Sequence, residues 1–217
     1  RAADPDKDQS YVLGVLNQDQ LRRSLFPLAD TPKPQVRAEA HSLGLRVADK
    51  PDSYDICFIP DGDTQGYLRA HLGETPGPIV DRSGTELGRH RGHHGFTIGQ
   101  RKGLDLRVPA PDGNPRYVLR IEPAGNRVVV GPGESLLVTN LAGIRPTWTQ
   151  HRVPGSWRGQ VQYRAHGAAL SATITTIGDD EVRVELDEPT RGVAPGQSMV
   201  FFDATRVVGS ATISGTS

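Results

Sequence analysis

The first quarter of the chain places polar capping residues and apolar residues at the spacing of short α-helices. In "NQDQLRRSLFPL", Asn17 stands three residues before Gln20, the arrangement of a capping box in which two side chains bond backbone N–H groups reciprocally. Leu21 and Leu25 follow at i, i+4 spacing and share one helical face. The pattern predicts a helix that starts after Asn17 and that Pro27 closes.

Two further stretches carry helix start and stop residues. In "KPQVRAEAHSLGL", Pro34 suits a first turn, where a backbone N–H has no helical partner, and Gly44 suits the position just past the helix end. In "DGDTQGYLRAHLG", Asp63 is a capping residue for a helix that runs to Leu72 and stops at Gly73. We expect one short helix in each stretch.

The rest of the chain has the short apolar runs and alternation of β-strands. The run "ICFI", closed by the turn residues 60–62, predicts a buried strand, and hairpins are predicted around residues 83–84 and 124–126. From about residue 135, strand-like segments follow at short intervals: "SLLVTNL", "GQVQYRA", "ALSATITTI", "EVRVELD", "QSMVFFD" and "VVGSATI". Short strands separated by Gly, Pro and Asp in this way are typical of a small closed barrel.

These elements together predict a mainly β protein with a helical N-terminal remnant. We expect three parts: the helical remnant at 1–60, a small β-rich central domain at 61–134, and a C-terminal β-barrel at 135–217. The chain begins at Arg1 and its single methionine is Met199, so we expect it to be part of a longer sequence.

Composition narrows the class of protein. Lys+Arg and Asp+Glu both number 25, so net charge gives no bulk attraction to nucleic acid or membrane. No apolar run approaches the roughly 18 residues that a bilayer-spanning helix needs, and we expect no membrane partner. The only cysteine, Cys57, cannot form an intrachain disulfide, which fits a reducing compartment and predicts a cytoplasmic location.

Local charge is more informative than net charge. Residues 89–102 hold four Lys/Arg, three His and no acid, and residues 144–166 hold four Arg and no acid, with aromatic residues between them. The segment "GDDEVRVELDE" is strongly acidic by contrast. Segregation of this kind predicts that one face binds a polyanion, and the alternative is a set of solvated basic loops.

Five segments carry a resemblance to a known family: "DPDKDQSYVL", "LFPLADTPKPQVRAEA", "DICFIPDGD", "GFTIGQRKGL" and "RGVAPGQSMVFF". Together and in this order they resemble the MnmA family of tRNA-specific 2-thiouridylases, nearly from end to end. The wording of "PDSYDICFIP" and "RAHG" is similar to the actinobacterial branch. An older label for this family is methyltransferase, but no methyl-donor site can be pointed out in this sequence.

The resemblance implies a fold of three domains. These are an ATP-pyrophosphatase domain with an SGGxDS phosphate loop, a small central domain, and a β-barrel similar to those of translation factors. This chain contains no SGGxDS segment, so it would correspond to the end of the catalytic domain and the two domains that follow. ATP with Mg²⁺ would then bind outside this chain, and we expect no cofactor on these residues.

The resemblance also implies a reaction and its partners. The family replaces the C2 oxygen of the wobble uridine with sulfur in tRNAs for Glu, Gln and Lys. ATP adenylates the base oxygen, and a cysteine persulfide supplies the sulfur. A cysteine desulfurase or a sulfur-relay protein is the implied donor. Without the ATP site, we expect this chain alone to be inactive.

Cys57 matches the second family cysteine, which carries the persulfide. That chemistry needs a thiolate, and a free thiol with a pKa of about 8.5 is mostly protonated at neutral pH. No His or Lys lies within five residues of Cys57, so any activating group must come from elsewhere in the fold. From the residues alone, a single cysteine in an apolar strand is more often a packed structural residue.

One N-terminal segment, Lys7, Asp8 and Gln9, matches a family segment that contacts tRNA. Lys7 can neutralise a phosphate, and Gln9 can bond a base edge or a ribose as donor and acceptor. The alternative is that Asp8 or Ser10 only caps the helix that follows.

Three barrel residues also match tRNA contacts of the family. Tyr163 offers a stacking face and Arg164 a phosphate clamp. The family usually has Arg-Tyr-Arg here, whereas this chain has Gln162 at the first position, one positive charge fewer. Gln197 matches a residue near the anticodon, and the alternative is a turn residue after Pro195-Gly196.

The segment "GFTIGQRKGL" places Arg101 and Lys102 between glycines, which let a phosphate approach the backbone. His90, His93 and His94 have no cysteine or carboxylate neighbour, so we expect no metal site.

Two other classes of protein compete with the enzyme. A non-catalytic RNA-binding barrel is the alternative, and the accessibility of Cys57 to a sulfur donor separates the two. A thiol redox protein is disfavoured because no C-x-x-C or resolving cysteine is present.

Overall fold

The computed structural model describes residues 1–51, 59, 62–106, 108, 112–149 and 155–217. The chain forms two compact units. The first contains Arg1–Asp52, Val138–Pro189 and Pro195–Ser217, and the second contains Ser53–Leu137 and Thr190–Ala194. No described helix is both long and apolar enough to cross a membrane.

The first unit begins with a 3₁₀ turn and short helices. Their bounds are Pro5–Lys7 for the turn, Ser10–Leu13 for α1, Gln18–Arg22 for α2 and Lys33–Ser42 for α3. The capping box at Asn17 and Gln20 is confirmed, but α2 ends at Arg22 rather than running on to Pro27. The helix predicted between Pro34 and Gly44 is also confirmed.

The second unit combines one helix with a sheet of four strands. The bounds are Thr64–Leu72 for α4, Gly77–Val80 for β1, Glu86–His90 for β2, Tyr117–Glu122 for β3 and Arg127–Gly131 for β4. The predicted Asp63 cap is confirmed, since its carboxylate accepts from the Gly66 N–H at 2.8 Å. Gly73 ends α4 with a φ of 74°, a value that favours glycine.

Both predicted hairpins are present in this sheet, whose order is β2-β1-β4-β3. Each hairpin is antiparallel, and the two are joined by a parallel pairing of β1 with β4. One face buries a core of aliphatic side chains: Ile79, Leu87, Leu104, Val118, Val128 and Val130. Leu104 belongs to this core and Phe96 packs against it, so residues on both sides of the segment 97–103 contact the core.

The remaining strands close into the predicted barrel, in the order β10-β5-β8-β7-β6-β9. They are β5 (Leu137–Trp148), β6 (Ser156–Gln162), β7 (Leu170–Ile177), β8 (Glu181–Arg191), β9 (Ser198–Asp203) and β10 (Arg206–Thr216). Met199, Phe201 and Phe202 on β9 are all fully buried. The mainly β fold with a closed barrel is therefore confirmed.

The N-terminal helices pack against the barrel within the first unit. The hydroxyl of Tyr11 on α1 donates to the carbonyl of Ser198 on β9 at 2.9 Å. A Cβ on Gly14 would lie 2.7 Å from the methyl groups of Val200, so α1 ends in close contact with the same strand. The side-chain amide of Gln18 donates to the carbonyl of Thr149. The three-part division of the sequence stays a prediction.

Candidate nucleic-acid interface

The segment Lys7–Gln9 links the 3₁₀ turn to α1. Lys7 is the last residue of the turn and is half-buried, and Gln9 is exposed just before α1. A cation and an exposed amide so close together can contact a phosphate and a neighbouring sugar or base. Their role in RNA binding stays a prediction.

Asp8 faces inward and makes several hydrogen bonds. Its carboxylate accepts from the Ser10 backbone at 3.0 Å, the Ser10 hydroxyl at 2.9 Å, and the Ala2 N–H at 3.2 Å. Partial burial opposes ionisation, but these hydrogen bonds and Arg1 outweigh it and hold the pKa of Asp8 below its ordinary value. Asp8 therefore fixes the shape of the segment, while the N-cap of α1 is Gln9, with no side-chain capping hydrogen bond.

Arg1 connects this segment to the barrel. Its guanidinium lies over the ring of Phe202, 3.7 Å from the ring centre, and donates to Asp8 at 3.2 Å and to Gln162 Oε1 at 3.5 Å. The carboxylate of Asp8 and the side chain of Gln162, at the end of β6, are thus held by one cation.

Gln162 holds the turn that carries the predicted barrel contacts. It is 6% exposed, and its amide donates to the carbonyls of Arg164 at 2.8 Å and Ala165 at 3.2 Å. The ring of Tyr163 is 9% exposed, and the exposed Arg164 places its guanidinium 5.4 Å from the centre of that ring. The ring supports the arginine, so Arg164 is the group of the pair that reaches solvent.

Gln197 lies just before β9. Its carbonyl accepts from the Ile213 N–H at 2.8 Å, after Gly196 with a φ of 88°. Its side-chain oxygen is buried with no hydrogen-bond partner among the described residues, and its role in RNA binding stays a prediction. The next residue, Ser198, is the acceptor for Tyr11 on α1.

In the second unit, the motif "GFTIGQRKGL" forms a turn organised by Gln100. The Gln100 side chain accepts from the Thr97 N–H at 3.0 Å and donates to the Lys102 carbonyl at 2.9 Å. Arg101 and Lys102 are both exposed at its tip, and Gly103 follows with a φ of 71°. The arrangement presents two cations to solvent.

The three histidines lie nearby in the sequence but do not form a metal site. His93 and His90 both bond Asn126, through its side-chain oxygen at 3.0 Å and its carbonyl at 3.2 Å. Burial lowers the pKa of His90, which favours its neutral form. Among the described residues, no group of three or more His, Cys, Asp or Glu side chains could hold a metal ion.

Cys57, the predicted sulfur carrier, lies outside the described residues. The structure brings together the Lys7–Gln9 segment and the 162–164 turn, and it places Arg101 and Lys102 in the other unit. Sequence reasoning missed Arg1 and Gln100 as organising residues. The only sequence feature that pointed to these contacts was Gln162, which stands where the family usually has an arginine.

Comparisons with known proteins first define a class. Three family models match in succession: a tRNA methyl transferase HUP domain at residues 1–61, a tRNA methyl transferase PRC-barrel domain at 65–132, and an aminomethyltransferase β-barrel domain at 138–213. A chain with these three domains in this order is related to tRNA-modifying enzymes.

Curated relatives narrow the class to one family. The chain is 60% identical to the tRNA-specific 2-thiouridylase MnmA of Acidothermus cellulolyticus and 59% identical to that of Cutibacterium acnes, over 100% of this chain in both cases. It is 55% identical to that of Mycolicibacterium smegmatis over 98% of this chain. The chain belongs to the MnmA family of tRNA-specific 2-thiouridylases. It spans 59% of the length of the first two relatives.

Proposed function

We propose that this chain is the tRNA-binding and sulfur-carrying part of a tRNA-uridine 2-sulfurtransferase. The observation that carries the proposal is the contact of Arg1 with both Asp8 and Gln162, which joins two predicted tRNA-contacting segments in one unit. The names of the relatives, at 55–60% identity over nearly all of this chain, support the same reaction.

In this proposal, some residues bind tRNA through their charge, others through their amide groups, and others position these groups. Arg164, Lys7, Arg101 and Lys102 contact phosphates, a sequence-independent interaction that dominates affinity. Gln9 and Gln197 are the proposed amide contacts to a base or a ribose. Asp8 and Tyr163 position these groups.

We propose that ATP with Mg²⁺ binds outside this chain, because the sequence contains no SGGxDS phosphate loop. ATP supplies the activation of the uridine oxygen in the parent protein. We assign no step of that activation to these residues, and we expect this chain alone to be inactive.

Cys57 is the proposed sulfur carrier. We propose that the terminal sulfur of a persulfide on this side chain bonds C2 of the wobble uridine, and that the adenylated C2 oxygen leaves as AMP. A second thiol, which must come from outside this chain because Cys57 is its only cysteine, attacks the Cys57 sulfur and forms a disulfide with it as the S–S bond breaks. The expected partners are tRNAs for Glu, Gln and Lys and a cysteine desulfurase or relay protein that loads Cys57. We propose a cytoplasmic location for the parent protein.

Replacement of Cys57 tests the proposal. In the full-length protein, Cys57→Ser should abolish 2-thiolation of tRNA and leave the tRNA Kd within about twofold, because one thiol adds little to a phosphate-dominated interface. Thiolation is measured by mass spectrometry of digested tRNA, and Kd by filter binding. Thiolation at the wild-type rate would contradict the sulfur-carrying role and favour the non-catalytic RNA-binding barrel.

A further inference from the structure

The second unit contains a cleft of about 300 Å³ that none of the predicted site residues lines. Its walls come from α4, the end of β2, the short turn His93–Gly95, and the residues just after Lys102. A volume of this size is at the lower end of what small-ligand sites offer, and it is larger than a bare phosphate needs. The cleft therefore has room for more than a single anion.

The lining of the cleft is cationic. Arg69, Arg89 and Arg91 line it, with Asp105 as the one acidic residue. The arginines are held by long ion pairs with carboxylates outside the cleft, such as the 3.8 Å contact of Arg91 with Glu74. Pairs of this length between exposed groups contribute little, so a phosphate can replace the carboxylates as partner.

The same cleft carries flat rings beside the cations. His94 and Phe96 line it, and Phe96 packs against the buried core, which holds its ring in place. A Cβ on Gly92 would collide with the ring of His94, so the glycine is what lets this ring lie over the backbone. Rings of this kind bind unstacked bases, whatever the base, through their faces. Gln65 adds an amide at the edge.

The cleft lies next to two cations that we propose to contact tRNA phosphates. Arg101 and Lys102 directly precede Gly103, which lines it. We propose that this cleft holds one unstacked nucleotide of the bound tRNA, with its phosphate against the arginines and its base against His94 and Phe96. This inference rests on the proposed function, since it takes tRNA as the source of the nucleotide.

The test uses the full-length protein with Arg91→Gln and His94→Ala, singly and together. Arg82→Gln, an exposed arginine of the same unit outside the cleft, is the matched control. We expect each cleft variant to raise the tRNA Kd about fivefold, because each removes a phosphate or stacking contact. The control should stay within about twofold. Hydroxyl-radical footprinting should show one nucleotide protected by the wild type and exposed in the double variant.

The outcomes separate this inference from the proposed function. Cleft variants that match the Arg82→Gln control in Kd and footprint would overturn the cleft site. UMP and inorganic phosphate are titrated separately, and UMP binding lost in the variants without a change in tRNA binding would assign the cleft to a free nucleotide and overturn the tRNA source. A normal Kd for Arg164→Ala would count against the proposed barrel surface instead, while the footprint still decides the cleft.

Discussion

At the scale of single residues, the three residues of the Lys7–Gln9 segment differ in role. The carboxylate of Asp8 accepts hydrogen bonds from Ser10, Ala2 and Arg1, so it stabilises the conformation of the segment. Its neighbours Lys7 and Gln9 are the residues of the segment that we propose to contact RNA. A segment predicted to contact RNA thus contains one residue whose hydrogen bonds are made within the protein.

The pH dependence of stability checks the internal role of Asp8. Because its folded pKa is lowered, the stabilisation is complete above its ordinary pKa near 4 and is lost as the pH falls through the lowered value. Asp8→Asn should cost roughly 1–2 kcal/mol at pH 7. Urea unfolding at pH 7, 5 and 3 should show a constant difference from the wild type down to pH 5 and a smaller one at pH 3. A difference that grows toward pH 3 would contradict this role.

Gln162 is the second residue whose replacement is informative. Gln162→Ala leaves the carbonyls of Arg164 and Ala165 without their amide donor in a buried site, at a cost of about 1–3 kcal/mol in unfolding free energy. It should also weaken tRNA binding, because the Arg164 turn loses its support. Gln160→Ala, on the same strand and half-buried, is the control in both assays. Equal effects of Gln162→Ala and Gln160→Ala would contradict the role of Gln162 in supporting the Arg164 turn.

Local contacts could be predicted from the sequence and distant ones could not. The capping box of Asn17 with Gln20 spans three positions and follows from helix chemistry. The contact of Arg1 with Gln162 spans 161 positions, and only the closed fold brings the two together. For the same reason, the burial of Tyr163 was not foreseen.

At the scale of elements, alternation and turn residues predicted most strands of both sheets. The parallel pairing of β1 with β4 was not foreseen, because it depends on how two separate hairpins meet over the Ile79 core. The end of α2 was placed too late, because Leu25 continues the apolar spacing but is 89% exposed. Tertiary packing decides where such a helix ends, and the spacing of apolar residues alone does not predict that packing.

Glycine in β6 tests the closeness of the barrel strands. A Cβ on Gly159 would lie 2.7 Å from the carbonyl oxygen of Phe202 on the paired strand β9, so Gly159→Ala must push the strands apart. We expect a loss of about 1–3 kcal/mol in unfolding free energy, measured in urea. Gly215→Ala on β10 is the matched control, since no atom lies within 4 Å of its added Cβ. Equal stabilities of the two variants would contradict the described β6–β9 contact.

At the scale of the whole molecule, the net charge is zero, yet cations are concentrated where RNA binding is proposed. Arg164 belongs to the barrel unit, and Arg101 and Lys102 belong to the central unit, so under the proposed function each unit contributes phosphate contacts. Extruding the wobble uridine costs a few kcal/mol, and we expect most of the pocket that offsets this cost to lie outside this chain. We therefore expect this chain alone to bind tRNA weakly, with little preference among isoacceptors.

The salt dependence of tRNA binding tests most directly whether this chain carries a tRNA-binding surface. Filter binding of the 217-residue chain to tRNA at several salt concentrations should give a steep linear fall of log K with log salt. Arg164→Ala and Arg101→Ala should each reduce that slope by about 0.7–0.9, as the loss of one phosphate contact requires. Arg82→Gln should leave it unchanged. A slope that neither arginine variant alters, or the absence of any salt-dependent binding, would contradict the proposed surface.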